Sequence, residues 1–195
     1  DNGDFKIVGT DRVVPFRSVA EKAAGENRVA FDEKETFAPE EATYPNGTHV
    51  CELEIDMATG EIELVDYTVV DDFGRVINPL LLEGQVHGGI AQGLGQAILE
   101  SCQYESGSGQ LLSASFMDYT MPRADDFPAI RFKRNEVPCE TNPLGIKGAG
   151  EAGAIGAPPA IVNAIVNALS DHGIRHVDMP VSPNKVWDIL QNVSA

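Results

Sequence analysis

The sequence predicts an α+β fold, an antiparallel or mixed sheet with helices packed on it. Three observations carry that reading. Residues 49–71 read as a long strand hairpin, the helical patterns stand apart from the strand text, and the two kinds of element do not alternate as a βαβ chain requires.

Taken in order, residues 1–46 are polar, with one short helical pattern over 16–24 and a loose acidic stretch, Phe31-Asp-Glu-Lys-Glu. They predict a peripheral arm, with 47–195 as the core of a single domain spanning 1–195. From His49 to Asp56 apolar and polar residues alternate, and Met57-Ala-Thr-Gly60 turns the chain. Ile62, Leu64, Val65, Tyr67, Val69 and Val70 then continue as a second strand. A shorter pairing is expected between Cys102-Gln-Tyr-Glu and Gln110-Leu-Leu, and a further strand over 129–136 around Ile130 and Phe132.

Three core helices have local reasons. Asn78-Pro79 supplies a cap and a proline at the first helical position, opening a helix through Glu100. Pro158-Pro159 opens a second, through Leu169, with Ile161, Ile165 and Leu169 four residues apart. Ser182-Pro183 opens a third, with Val186, Trp187 and Leu190 as its inward face.

The helix from Asn78 has two faces. Leu82, Val86, Ile90, Leu94 and Ile98 form an apolar stripe, while Gln85, Gln92 and Gln96 fall within about 40° of one another at 100° per residue. Glycines 84, 88, 89, 93 and 95 surround that second face. Five interior glycines cost on the order of 5 kcal/mol relative to alanine, which close packing or an approaching ligand would justify. Both a ligand face and a helix–helix crossing satisfy that requirement.

Composition excludes several classes. A formal charge of −16 disfavours a nucleic-acid partner, because such affinity rests on neutralising phosphates. No apolar run approaches the roughly 20 residues of a membrane span, and no leader pattern opens the chain, so a cytoplasmic protein without a membrane partner is expected. Cys51, Cys102 and Cys139 lack C-x-x-C spacing, and the histidines at 49, 87, 172 and 176 lack a ligand pattern; no protein-ligated metal is expected. The start without Met suggests a fragment or a processed subunit.

Chemistry concentrates in Lys147-Gly-Ala-Gly-Glu151-Ala-Gly-Ala-Ile-Gly-Ala-Pro-Pro. Its glycines permit close approach to the main chain, and Glu151 is the carboxylate presented there, either a catalytic base or a solvated charge in a connecting loop. Residues 148–153 also satisfy G-x-G-x-x-G, but the segment before them reads as loop and the carboxylate would repel a pyrophosphate, so a dinucleotide-binding protein is a poor alternative.

Four ordered motifs carry a resemblance: Asp72-Phe-Gly-Arg-Val-Ile-Asn-Pro79, Glu83-Gly-Gln85-Val-His-Gly-Gly-Ile-Ala-Gln92-Gly, Phe116-Met-Asp-Tyr-Thr-Met-Pro122 and Asn142-Pro-Leu-Gly-Ile-Lys147-Gly-Ala-Gly-Glu151. Together they resemble the carboxy-terminal part of the molybdopterin-binding large subunit of the xanthine dehydrogenase, aldehyde oxidoreductase and aerobic carbon monoxide dehydrogenase family. The resemblance implies a C-terminal molybdenum cofactor-binding domain of a molybdenum hydroxylase, which oxidises a carbon centre with water-derived oxygen. It implies that Glu151 is the catalytic base beside molybdenum and that Gln85 contacts the pterin. Gly84, Gly88 and Gly150 would let the cofactor approach, and Lys147 is given no role beyond a structural ion pair.

The implied cofactor is molybdenum–molybdopterin, its cytosine dinucleotide form included, with iron–sulfur and FAD groups on partner chains or domains. Implied partners are the remainder of the large subunit, the iron–sulfur and flavin subunits and a small-molecule substrate. The isolated chain is expected to be inactive, since other cofactor contacts lie outside these residues. A catalytically silent structural or assembly module of the same fold is the alternative. Glu151 is expected at the floor of a concavity between its loop and the helix from Asn78.

Overall fold

The structure, a computed structural model, describes residues 3–25, 34–39 and 41–193. The chain divides into two compact units, Asp1–Pro39 and Glu40–Ala195. In the first, β1 (Asp4–Lys6) pairs antiparallel with β2 (Val13–Pro15), and the expected short helix follows as α1 (Phe16–Gly25). Phe31, Asp32 and Glu33 of the acidic stretch lie outside the described residues.

The second unit is built on a three-stranded sheet in the order β3-β4-β5. The hairpin joins β3 (Asn46–Ile55) antiparallel to β4 (Ile62–Asp72), and β5 (Ile130–Arg134) lies parallel to β4, so the sheet is mixed. Gly60 takes the turn's left-handed position at φ 77°, where a side chain would also strike the Pro183 carbonyl oxygen. Between Asp66 and Leu64 the register slips against Glu52 and Leu53, which makes Val65 an extra, exposed residue in β4. That bulge switches the inward phase from Leu64 to Tyr67, Val69 and Asp71. It explains why the sequence offered apolar residues on both faces of the strand. The pairing expected near Tyr104 is a single bridge to Leu111 rather than a ladder.

The helix from Asn78 is α2 (Pro79–Leu94), and the Asn78 side chain caps it by accepting from the Leu81 N–H. It runs on as one wide π-type turn, Gly95–Leu99, before Glu100 ends it. Leu82, Val86, Ile90, Leu94 and Ile98 are all buried, as the stripe predicted. The last helix, α4 (Pro183–Val193), buries Val186 and Leu190, but Trp187 stands 43% exposed rather than inward.

One boundary is corrected. Residues 158 and 159 do not open a helix: α3 runs from Ala152 to Ala168 with both prolines inside it. An interior proline costs about 3 kcal/mol through its missing N–H and its clash with the preceding turn. Here Pro158 is buried against α2, and the wholly buried Ala157, Ile161 and Ile165 hold the helix in place. Tertiary packing outweighs the local signal.

Candidate functional site

The crossing of α2 and α3 organises the site. A Cβ on Gly153 would stand 2.5 Å from the Val86 carbonyl oxygen and 2.7 Å from the Ile90 nitrogen. One on Gly89 would meet Ala154 N and the Gly153 Cα at 2.9 Å, and one on Gly93 would meet the Ala157 Cβ at 2.7 Å. These glycines let two helix backbones touch. Gly84 and Gly88 do something else: a Cβ at either position would meet nothing within 4 Å, and both face solvent. The glycine-rich face therefore divides into a packed half and an open half.

Gln85 lies in the open half, and its Nε2 is 3.9 Å from the point where a Gly150 Cβ would be. The fold thus brings together two residues 65 positions apart that the sequence had picked separately. Glu151 follows directly, at the N-cap of α3 (φ −110°, ψ −10°), its carbonyl oxygen accepting the Ile155 N–H at 2.9 Å. Its carboxylate makes no capping hydrogen bond. Gly84, Gln85, Gly88, Gly150 and Glu151 are all exposed.

Two cavities lie near these elements, and Glu151 lines neither. A cavity of about 150 Å³ sits beside the first turn of α3, lined by Asn46, His49, Asp71, Ala152, Ile155 and Gly156 among others, and Glu151 is not in its wall. A larger one of about 720 Å³ is lined by the start of β4, Ile98, Leu99 and residues 125–128, and contains none of the sequence-picked site residues. Glu151 is exposed and adjoins the open face of α2 through Gly150.

Two buried polar clusters flank the loop. Lys147 pairs with Asp72, Nζ to Oδ2 at 2.5 Å, with both side chains nearly withdrawn from solvent. The other oxygen of Asp72 accepts N–H groups from Gly74 at 2.8 Å and Val137 at 3.0 Å. Burial pushes the Asp72 carboxyl up, but the Lys147 ammonium and the two backbone donors outweigh it and hold the group below its ordinary 3.8. The structural ion pair expected of Lys147 is thus present. The motif that begins at Asp72 assigns that carboxylate no role, and the adjacent aspartates closing an apolar strand are the signal the sequence offers for it.

The second cluster lies under α3. His49 Nδ1 and the Tyr67 hydroxyl share a 2.8 Å hydrogen bond, and His49 Nε2 is 3.5 Å from Asp71 Oδ1. Burial pushes the Tyr67 hydroxyl well above its ordinary range, with Cys51 and Asp71 adding to the effect. A Cβ on Gly156 would fall 2.5 Å from the His49 ring, so that glycine lets α3 settle on the sheet. The sequence shows no ligand pattern around His49, and its partners Tyr67 and Asp71 lie across the hairpin on β4.

The sequence model of the molybdopterin cofactor-binding domain matches residues 1–128, about two thirds of the chain. The chain belongs to that family. The match covers Gly84, Gln85 and Gly88 of the molybdopterin domain and stops before Gly150 and Glu151. Among curated relatives, the nicotine 6-hydroxylase large subunit of Paenarthrobacter nicotinovorans is 38% identical over 143 residues, 73% of this chain and 17% of the relative. The carbon monoxide dehydrogenase large chain of Hydrogenophaga pseudoflava is 35% identical over 155 residues, 80% of this chain and 19% of the relative. Among solved structures, quinoline 2-oxidoreductase from Pseudomonas putida 86 superposes with a TM-score of 0.84 at 34% identity, covering 97% of this chain and 25% of that one. The chain therefore spans about a fifth to a quarter of the length of these proteins.

The open face fits a pterin. Gly84 and Gly88 leave space that a side chain would fill, and the exposed Gln85 amide offers both donors and an acceptor to a polar ring edge or phosphate. No helix among the described residues is long and apolar enough to cross a membrane.

Proposed function

We propose that the molybdopterin domain serves in a molybdenum hydroxylase, supplying the general base, Glu151, and cofactor contacts from Gln85, Gly84, Gly88 and Gly150. The observation that carries this reading is the approach of the Gln85 amide to Gly150, which sets Glu151 beside the open glycine face of α2. When bound, the cofactor supplies the redox centre and an acidified oxygen nucleophile. Gln85 orients the pterin through its amide. Glu151 receives the proton at its carboxylate, and the amino-terminal end of α3 stabilises negative charge there. Neither of those roles needs a pocket made by this chain alone; the second wall comes from the remainder of the large subunit.

The same reading extends outward. The pterin is carried in its simple or cytosine dinucleotide form, electrons leave to iron–sulfur and flavin groups on partner chains or domains, the assembly is cytoplasmic, and the isolated chain is inactive. The relatives are named for carbon monoxide, nicotine, quinoline, aldehydes and xanthine, so these five classes form the substrate panel. With the panel substrate that turns over fastest in the complete holoenzyme, Glu151→Gln retains molybdenum and pterin content while the rate falls on the order of 10²–10⁴-fold. A variant with near wild-type rate removes Glu151 from the mechanism. No turnover of any panel member by a molybdenum-loaded wild-type enzyme favours the silent structural module.

A further inference from the structure

We propose that Asp72 and Lys147 form a positioning pair for the candidate base. They fix the amino-terminal end of the loop from Lys147 to Glu151 onto the end of β4, and so set where the Glu151 carboxylate stands. Neither residue touches substrate or cofactor in this account, and the inference rests on the reading of Glu151 as the base.

The loop is held at both ends and little between. At its carboxyl end Glu151 is the N-cap of α3. At its amino end the Lys147 N–H donates to the Phe73 carbonyl at 2.9 Å, alongside the side-chain pair to Asp72. Upstream, the Arg75 N–H donates to the Gly145 carbonyl at 2.8 Å, and Asn142 clamps Ile146 through both its amide groups, at 2.9 and 3.1 Å. Gly74, at φ 65°, admits no side chain, because a Cβ would lie 2.2 Å from the Gly145 oxygen. Among the described residues, 148–150 contribute one hydrogen bond, from the Gly148 N–H to Thr43 Oγ1 at 3.3 Å, and the packing of Ala149 on the core edge. Gly148 and Gly150 give the segment little stiffness of its own.

Stability alone does not account for the pair. A buried ion pair gains little over apolar residues of similar volume, because desolvation offsets the attraction. What it adds is direction: Asp72 is held by three donors at once, Gly74 from its own loop, Val137 from the chain after β5, and Lys147. Geometry is also what a base needs, since a displacement of about 1 Å at the reacting groups costs on the order of 10²-fold.

The test compares Lys147→Met, Lys147→Arg, the double variant Asp72→Asn/Lys147→Met and Glu151→Gln in the complete holoenzyme. Amide hydrogen exchange of residues 146–148 is followed together with kcat and KM for the panel substrate. The double variant leaves no unpaired charge, and the Asn carbonyl still accepts from Gly74 and Val137, so it guards against simple unfolding of the single one. Both Met-containing variants are expected to exchange at least about 10-fold faster at 146–148, where the amides are hydrogen-bonded to Asn142, Phe73 and Thr43. They should lose about 10- to 100-fold in kcat with unchanged KM, molybdenum and pterin content, while Lys147→Arg recovers most of the rate. Wild-type exchange and kcat in the double variant would overturn the inference. If Glu151→Gln alone is near wild type, the base assignment fails instead, and the exchange data still decide whether the pair fixes the loop.

Discussion

At the residue scale, Asp72 shows how an unremarked side chain becomes a fixed point. Its carboxyl is held below its ordinary 3.8 in the fold, against the push of burial, by Lys147 and two backbone donors. A depressed carboxylate contributes stability that is fully present above the unfolded value and is lost as pH falls through the folded one. Asp72→Asn is therefore expected to destabilise the chain by about 3 kcal/mol at pH 7, where Lys147 loses its buried partner. The difference from wild type narrows as pH drops below 3.8. Urea unfolding midpoints of both proteins at pH 7 and pH 3 check it; a gap that stays constant would mean that Asp72 does not titrate as its contacts require. The ion pair of Lys147 was legible only as a possibility of its residue type, because its partner lies 75 positions away and is delivered by the sheet.

At the element scale, α2 was legible, and so was the body of α3, but not where α3 starts. The Asn78-Pro79 cap and the four-residue stripe fix α2 locally, whereas the start of α3 depends on a neighbour that lets prolines sit inside it. The glycines of α2 carried an ambiguity that only the crossing could resolve: Gly89 and Gly93 meet α3, and Gly84 and Gly88 meet nothing. Opposite outcomes follow. Gly93→Val should cost at least about 1–3 kcal/mol, because the Ala157 Cβ and the Pro158 ring already fill its space. Gly88→Leu should leave stability unchanged or raise it by up to about 1 kcal/mol, as a helix former replacing an exposed glycine does, while lowering pterin occupancy of the holoenzyme. Thermal melts and pterin content, measured on both variants, separate the packed half of the face from the open one. Full pterin occupancy in Gly88→Leu would make that face plain solvent surface.

At the scale of the whole molecule, the proposed function has the chain supply one side of a site that the remainder of the large subunit completes. The α+β class and the mixed sheet were legible because alternation in the hairpin and the separate helices are local patterns. The exposure of Glu151 was not, since a sequence pattern places a residue in a loop without showing what stands opposite. The open face of α2, the Gln85 amide and the N-terminus of α3 converge on one patch. That convergence is the central claim, and the position of the cofactor in an experimental structure of the complete holoenzyme tests it most directly. The account predicts the pterin against Gly84 and Gly88, the Gln85 amide within about 3 Å of it, and the Glu151 carboxylate turned toward the metal. A cofactor bound elsewhere, with that patch covered by protein, would contradict it.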